Sequence, residues 1–134
     1  TGGTTDVSTY FVMRLSATGL AATGLTIANF SIQYTRTGTA PVGHAHPTAL
    51  AATNTAHTDN YGIEVDATSS PGLYRIDWPD AAFAAGVRQV ILSAVCATAF
   101  SECMAVEIDP PVNLTAINGT TLEGDGNTTP WGPA

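Results

Sequence analysis

Two histidines separated by one residue give the only hint of metal chemistry in this sequence. His44 and His46 would present both imidazoles on one face if they lay on a strand, because side chains at i and i+2 share a face. His57 and Asp59 follow nearby, but a single H-x-H lacks the further ligands of a closed zinc site. In a trimer, three copies of the pair would supply six imidazoles around an axis. The alternative is that Pro47 and the surrounding Thr and Ala residues mark an exposed loop with solvated histidines.

The chain has two cysteines, Cys96 and Cys103, at the facing ends of two strand-like segments. If these segments form an antiparallel hairpin, the register that joins apolar to apolar residues sets Val95 opposite Met104. The same register sets Cys96 opposite Cys103 and predicts a cross-strand disulfide worth about 2.5 kcal/mol, typical of a protein that works outside reducing cytosol. Two reduced, partly buried thiols remain the alternative, since spacing alone does not establish an oxidised pair.

Enzymatic motifs are missing from the sequence. No serine lies in a G-x-S-x-G context, and no glycine-rich phosphate loop joins a strand to a helix. The carboxylates that would serve glycoside hydrolysis alternate with apolar residues, which is typical of the solvent face of a strand; they are Glu64, Asp66, Asp77 and Asp80. The sequence therefore predicts a protein without catalysis and without a cofactor.

Composition limits the possible partners. The 134 residues contain eleven carboxylates against four arginines and no lysine, which gives a formal charge of −7. Such a chain repels nucleic-acid phosphates and anionic lipid headgroups, so neither is an expected partner. Charged residues make up only 11% of the chain, against roughly 25% in a typical soluble domain. Most of the surface must therefore be uncharged.

The elements that position these residues are strands, because apolar side chains recur with period two and Thr, Gly and Pro interrupt every longer window. The predicted strands cover residues 8–15, 30–35, 63–66, 73–78, 87–96, 103–109 and 112–118. Turns are predicted at Ser69-Ser70-Pro71-Gly72 and Asn118-Gly119, and one helical turn between Pro79 and Gly86. This pattern predicts an all-β fold, an Ig-like antiparallel β-sandwich of seven to eight strands with one short helical turn that crosses between sheets.

The chain divides at residue 109. Residues 1–109 form the predicted sandwich with a short N-terminal arm, and residues 110–134 form an extended C-terminal tail with four prolines and four glycines. Trp131, between Pro130 and Gly132, is a candidate for docking into a neighbouring subunit. The alternative is a disordered tail with an incidental tryptophan.

Several segments between about residues 7 and 109 resemble a group of tailed-bacteriophage structural proteins. The most specific is Ser70-Pro-Gly-Leu-Tyr-Arg-Ile-Asp-Trp-Pro-Asp-Ala-Ala-Phe83, followed by Val90-Ile-Leu92. Val7-Ser-Thr-Tyr-Phe-Val-Met-Arg14, Thr23-Gly-Leu-Thr26, Phe30-Ser-Ile-Gln-Tyr-Thr-Arg36 and Ala56-His-Thr-Asp-Asn60 also contribute. The resemblance implies an Ig-like sandwich on the virion surface, in a head decoration or fibre protein or in a baseplate or tail-fibre module, without known catalysis.

The expected function is therefore that of a bacteriophage virion structural protein, a decoration, cement or tail-fibre module that packs against other virion subunits. A homo-oligomer is expected, with a trimer favoured, because a low-charge surface packs against copies of itself with little desolvation of charge. The alternative is a carbohydrate-binding module for host adhesion, in which Tyr61 and Trp131 would stack on a sugar. Tyr74 and Trp78 share an apolar face with Ile76 and are expected in the core.

Overall fold

The computed structural model describes residues 3–108, 116–117 and 120–121. Strands dominate these residues, and two 3-10 turns, at Ile27–Asn29 and Asp80–Phe83, interrupt them. In chain order the strands are β1 (Ser8–Val12), β2 (Phe30–Arg36), β3 (Val42–Ala45), β4 (Thr48–Ala49), β5 (Tyr61–Asp66), β6 (Ser70–Asp77), β7 (Gln89–Cys96), β8 (Glu102–Glu107), β9 (Ala116–Ile117) and β10 (Thr120–Thr121).

Strands β1 to β8 form two four-stranded sheets. Sheet I has the order β1-β6-β5-β4 and sheet II the order β3-β2-β7-β8, while β9 and β10 pair only with each other. Neighbouring strands are antiparallel except β4 and β5, which run parallel. The predicted all-β, Ig-like antiparallel β-sandwich is thus confirmed, with eight strands in its two sheets.

The core lies between the sheets and follows the period-two pattern of the sequence. On β2 the side chains of Phe30, Ile32 and Tyr34 point inward, and Val90, Leu92, Ala94 and Cys96 do so on β7. Sheet I and the residues that continue its strands contribute Phe11, Met13, Tyr74, Ile76 and Trp78. The rings of Phe30 and Tyr74 meet across the core with centroids 5.3 Å apart. Tyr74 and Trp78 are therefore core residues, as their shared face with Ile76 predicts.

The buried Tyr74 hydroxyl is fully engaged. It donates a hydrogen bond of 2.6 Å to the Ala22 carbonyl and accepts one of 3.0 Å from the Leu25 amide. Burial raises the pKa of Tyr74 to about 12. This tyrosine ties the 21–26 segment to sheet I.

The connection from β6 in sheet I to β7 in sheet II contains the predicted crossing turn. It is a 3-10 turn at Asp80–Phe83 preceded by Pro79, and it ends in the extended Ala84. The predicted stop at Gly86 is therefore wrong, although Gly86 has a positive φ of +111° two residues further on. The Arg36 guanidinium, at the end of β2, donates hydrogen bonds of 2.7 to 3.3 Å to four carbonyls of this connection, those of Ala81, Ala82, Ala84 and Ala85. One arginine therefore fastens the β6–β7 connection to the end of β2.

The predicted turn over residues 69–72 is wrong, because β6 already begins at Ser70. The observed turn lies just before it, where the Asp66 carboxylate accepts hydrogen bonds from the Thr68 and Ser69 amides at 2.9 and 3.1 Å. These two bonds lower the pKa of Asp66. Gly72 is required within the strand, since its φ is +81° and a Cβ there would lie 2.7 Å from the Met13 carbonyl oxygen.

Three further differences concern strand ends. The strand predicted over residues 8–15 stops at Val12 and continues only as isolated bridges. For the segment around His44 the sequence left a strand and an exposed loop as alternatives, and the structure has the short exposed edge strands β3 and β4 there. Of the strand predicted over 112–118, residues 116–117 form β9, and the others lie outside the described residues. The division of the chain at residue 109 stays a prediction.

Candidate functional site

The outer face of sheet II is a surface of mostly uncharged polar, β-branched and small side chains. The register places Ser31 opposite Val95, Gln33 opposite Ser93 and Thr35 opposite Ile91. On the next strand, Cys103 lies opposite Ser93 and Ala105 opposite Ile91. We refer to the outward side chains of β2, β7 and β8 as the sheet II face; its members are Ser31, Gln33, Thr35, Gln89, Ile91, Ser93, Val95, Cys103, Ala105 and Glu107.

This face follows from the sequence alternation. Inward positions carry the core residues, so every outward position on β2 and β7 is left for a polar or β-branched side chain. Glu107, at one end of the face and opposite Gln89, is its single charged member among the described residues. Val95, Gln33 and Ala105 are exposed. A flat surface of this kind loses little charge hydration when it is covered.

The outer face of sheet I is different, because the loop between β4 and β5 covers part of it. Arg75 and Asp77 point outward on β6, yet both are buried, and Asp77 is wholly inaccessible. The Arg75 guanidinium donates two hydrogen bonds to the Asp77 carboxylate, of 2.7 Å from Nε and 2.9 Å from Nη2. Its Nη1 donates to the carbonyl of Thr53 in the covering loop at 2.9 Å.

Asp77 also binds the loop and the first strand. Its carboxylate accepts hydrogen bonds from the Ser8 hydroxyl at 2.6 Å and from the Thr58 amide at 3.1 Å. Burial alone would raise the pKa of Asp77, but the hydrogen bonds and the charge of Arg75 outweigh it and lower the pKa. The Arg75–Asp77 pair therefore fastens the covering loop to sheet I.

Beyond the covering loop, sheet I presents apolar side chains to solvent. Tyr10 is 51% exposed and Val12 47% exposed, both on the edge strand β1. The register sets Val12 opposite the half-buried Leu73 on β6, so an apolar patch extends from Tyr10 and Val12 to Leu73. Tyr10 itself lies opposite the buried Arg75. This patch is a second surface suited to packing.

A serine, a histidine and an aspartate lie close together here, but their hydrogen bonds do not form a catalytic relay. The His57 ring directs Nε2 at the Val7 carbonyl, 3.1 Å away, and its Nδ1 lies 3.5 Å from Asp6 Oδ1 and 3.6 Å from Asp59 Oδ1. The Ser8 hydroxyl donates to Asp77 and not to the imidazole. A nucleophile and base must be hydrogen-bonded to each other for this chemistry. The cluster instead joins the N-terminal arm to the covering loop.

The structure separates the two histidines of the H-x-H motif. His44 lies on β3 opposite Ile32, whereas His46 follows the strand with a φ of +60°. The Nδ1 atom of His46 lies 2.7 Å from the Ala28 carbonyl oxygen, which uses one ring nitrogen in a local hydrogen bond. Within residues 3–108, no group of three or more His, Cys, Asp or Glu side chains converges to hold a metal ion. The expected shared face is therefore wrong within one chain, while the trimeric arrangement stays a prediction.

The predicted disulfide is wrong. The β7–β8 register pairs Leu92 with Met104, three residues away from the predicted pairing of Val95 with Met104, so Cys103 lies opposite Ser93. Cys96 points into the core and Cys103 to solvent, and both are free thiols. The register follows the longer apolar match, in which Val90, Leu92 and Ala94 all face inward. Burial raises the pKa of the Cys96 thiol.

Of the two aromatic residues predicted to stack on a sugar, the structure describes one. Tyr61 is half-buried at the start of β5, next to the parallel β4 strand. Trp131 lies outside the described residues, so its predicted docking and stacking roles stay predictions. The sequence analysis missed the sheet II face, although the outward positions of the predicted strands already contained it.

Comparison with known proteins identifies no relative: no family model, no curated protein and no solved structure matches this chain. Among the described residues, no helix is long and apolar enough to cross a membrane. The geometry of the chain itself therefore carries the functional argument.

Proposed function

We propose that this chain is a non-enzymatic structural protein of a tailed-bacteriophage virion, a surface decoration, cement or tail-fibre module that packs against other virion subunits. It works as a homo-oligomer, with a trimer favoured, on the surface of the extracellular particle. The observation that carries the proposal is the sheet II face, whose one charged side chain lies at its end.

The physical reason is desolvation. An interface that buries charges must compensate for the loss of their hydration, whereas hydroxyls, amides and small apolar groups lose far less. In this chain the short side chains also allow two backbones to approach closely. The apolar patch at Tyr10 and Val12 offers a second contact on the opposite sheet, so one sandwich has two faces with which to join neighbours.

A single charge introduced within the sheet II face tests this proposal. Gln33→Glu replaces an exposed amide by a carboxylate of nearly the same shape, on the strand between β3 and β7. Asn54→Asp is the matched control, because it makes the same chemical change on an exposed loop. Burying the new carboxylate without a partner costs about 3 kcal/mol or more, which weakens association roughly 100-fold.

Light scattering after size-exclusion chromatography measures the result. We expect an oligomer for the unchanged chain and for Asn54→Asp, and dissociation for Gln33→Glu. An unchanged chain that is monomeric at every concentration would contradict self-assembly. An oligomer that Gln33→Glu leaves intact would show that the sheet II face is not the interface.

A further inference from the structure

A cleft opens at the edge of the sandwich between β3 and the chain that follows β6. Its volume is about 160 Å³, and its walls include Tyr34, Val42, His44, Asn60, Trp78 and Pro79. This is smaller than the roughly 300–1,000 Å³ of pockets for drug-sized ligands. The cleft is therefore on the scale of a single ring.

Three of the side chains in these walls carry polar groups that make no hydrogen bond to the described residues. They are the hydroxyl of Tyr34, the imidazole of His44 and the carboxamide of Asn60. Since no buried side-chain polar atom of the described residues lacks a partner, these three groups reach the solvent that fills the cleft. Trp78 differs from these three side chains, because its polar atom has a partner within the protein: Nε1 donates a hydrogen bond to Thr9 Oγ1 at 2.7 Å. A phenol, an imidazole and an amide together offer both donors and acceptors to a ligand.

The backbone holds these groups in place. Asn60 has a φ of +65°, a conformation that asparagine tolerates better than most residues. It is fixed on both sides, because its amide donates to the Asp77 carbonyl at 2.9 Å and its carbonyl accepts from Thr48 at 3.2 Å. The Trp78 amide donates to the Val7 carbonyl at 3.1 Å. A site fixed in this way needs little reorganisation to bind.

Charge and shape define the ligand class. No arginine lines the cleft, Asp59 and Asp80 adjoin its walls in sequence, and the chain as a whole carries −7. An anionic ligand is therefore disfavoured. The accessible apolar part of the wall comes from Val42 and Pro79, with the buried Ile32 and Trp78 beneath it. Combined with three hydrogen-bonding groups, it matches a ring with one apolar C–H face and a rim of hydroxyls.

We propose that this cleft binds a single neutral pyranose unit, as a free sugar or as the exposed end of a glycan. This function is separate from subunit packing, since the cleft lies at the β3 edge and not on the outward side chains of the sheet II face. The residues that contact the sugar in this cleft differ from Tyr61 and Trp131, the two residues that the sequence analysis proposed for stacking.

The test is to titrate the full chain with glucose, galactose, mannose, rhamnose and N-acetylglucosamine. Two-dimensional amide NMR monitors each titration. We expect at least one sugar to shift the signals of residues 42–44, of Asn60 and of the Trp78 indole, with saturation on the order of millimolar concentrations. Asn60→Gly removes the carboxamide while glycine keeps the positive φ, and Tyr34→Phe removes only the hydroxyl. Each should weaken binding about tenfold, the effect of losing one hydrogen bond.

The matched controls are Asn54→Gly in an exposed loop and Tyr10→Phe on the opposite sheet, and both should bind as the unchanged chain does. The NMR spectrum of each variant reports directly whether it is folded. Absence of shifts at the cleft with all five sugars at concentrations on the order of 100 mM would overturn the proposal. It would equally be overturned if folded Asn60→Gly and Tyr34→Phe bound as tightly as the controls.

Discussion

Removal of the Asp77 carboxylate should be among the most damaging single changes to this sandwich. The wholly buried group accepts four hydrogen bonds, two from Arg75, one from Ser8 and one from the Thr58 amide, over distances of 2.6 to 3.1 Å. Asp77→Ala would leave the Arg75 guanidinium buried with one described acceptor, the Thr53 carbonyl. An uncompensated buried charge costs about 3–5 kcal/mol.

Urea denaturation at pH 7 measures this loss, which is a large fraction of the roughly 5–15 kcal/mol that stabilises a typical domain. Amide hydrogen exchange at Thr58 should accelerate as well, because its acceptor is gone. Asp66→Ala is the control, since that exposed carboxylate holds only a local turn and its removal should cost far less than that of Asp77. Replacing both partners, in Arg75→Met with Asp77→Leu, should cost less than the sum of the single changes. A loss below about 1 kcal/mol in Asp77→Ala, or additive single changes, would refute a coupled buried pair.

Three further predictions concern pH, backbone geometry and the thiols. Because the folded state lowers the pKa of Asp77 below its reference value of 3.8, its contribution is complete at neutral pH and is lost as the pH falls through the folded value. The stability difference between the unchanged chain and Asp77→Ala should therefore shrink between about pH 5 and pH 2, and a difference that grows on acidification would show the opposite sign of shift. Gly72→Ala should cost about 2–4 kcal/mol in thermal or urea unfolding, because its Cβ would meet the Met13 carbonyl at 2.7 Å. Gly38→Ala, with a similar φ of +76° and open space around it, should cost about 1 kcal/mol. Equal losses of stability in Gly72→Ala and Gly38→Ala would refute the close contact between residue 72 and the Met13 carbonyl. In dilute native protein, a thiol reagent should modify Cys103 quickly and Cys96 only after unfolding. Two unreactive cysteines in the native protein would contradict this prediction and would instead support the disulfide between Cys96 and Cys103.

The sequence was sufficient to predict the sandwich because its strands carry a clear period of two. Phe30, Ile32 and Tyr34, and likewise Tyr74, Ile76 and Trp78, alternate so regularly that only one face of each strand suits the core. The turn after Trp78 could be predicted because proline fixes its own φ near −65°, and Pro79 immediately precedes the turn.

Register was less accessible than strand identity. Pairing Val95 with Met104 sets the two cysteines opposite each other, but the observed register is shifted by three residues and leaves Cys96 buried and Cys103 exposed. The sequence could not decide between a strand and a loop at β3, because all four residues of this strand are exposed and leave no apolar pattern. The burial of Arg75 and Asp77 depends on a loop that crosses their strand, and no local pattern encodes such a covering.

The central claim is that the sheet II face joins this chain to other copies, and Cys103 reports on it directly because its exposed thiol lies within that face. We predict that the reaction rate of Cys103 with a thiol reagent falls as the protein concentration rises, and that Gln33→Glu abolishes this protection while Asn54→Asp retains it. A Cys103 thiol that reacts at the same rate at every concentration, in a chain shown by light scattering to be oligomeric, would contradict the account.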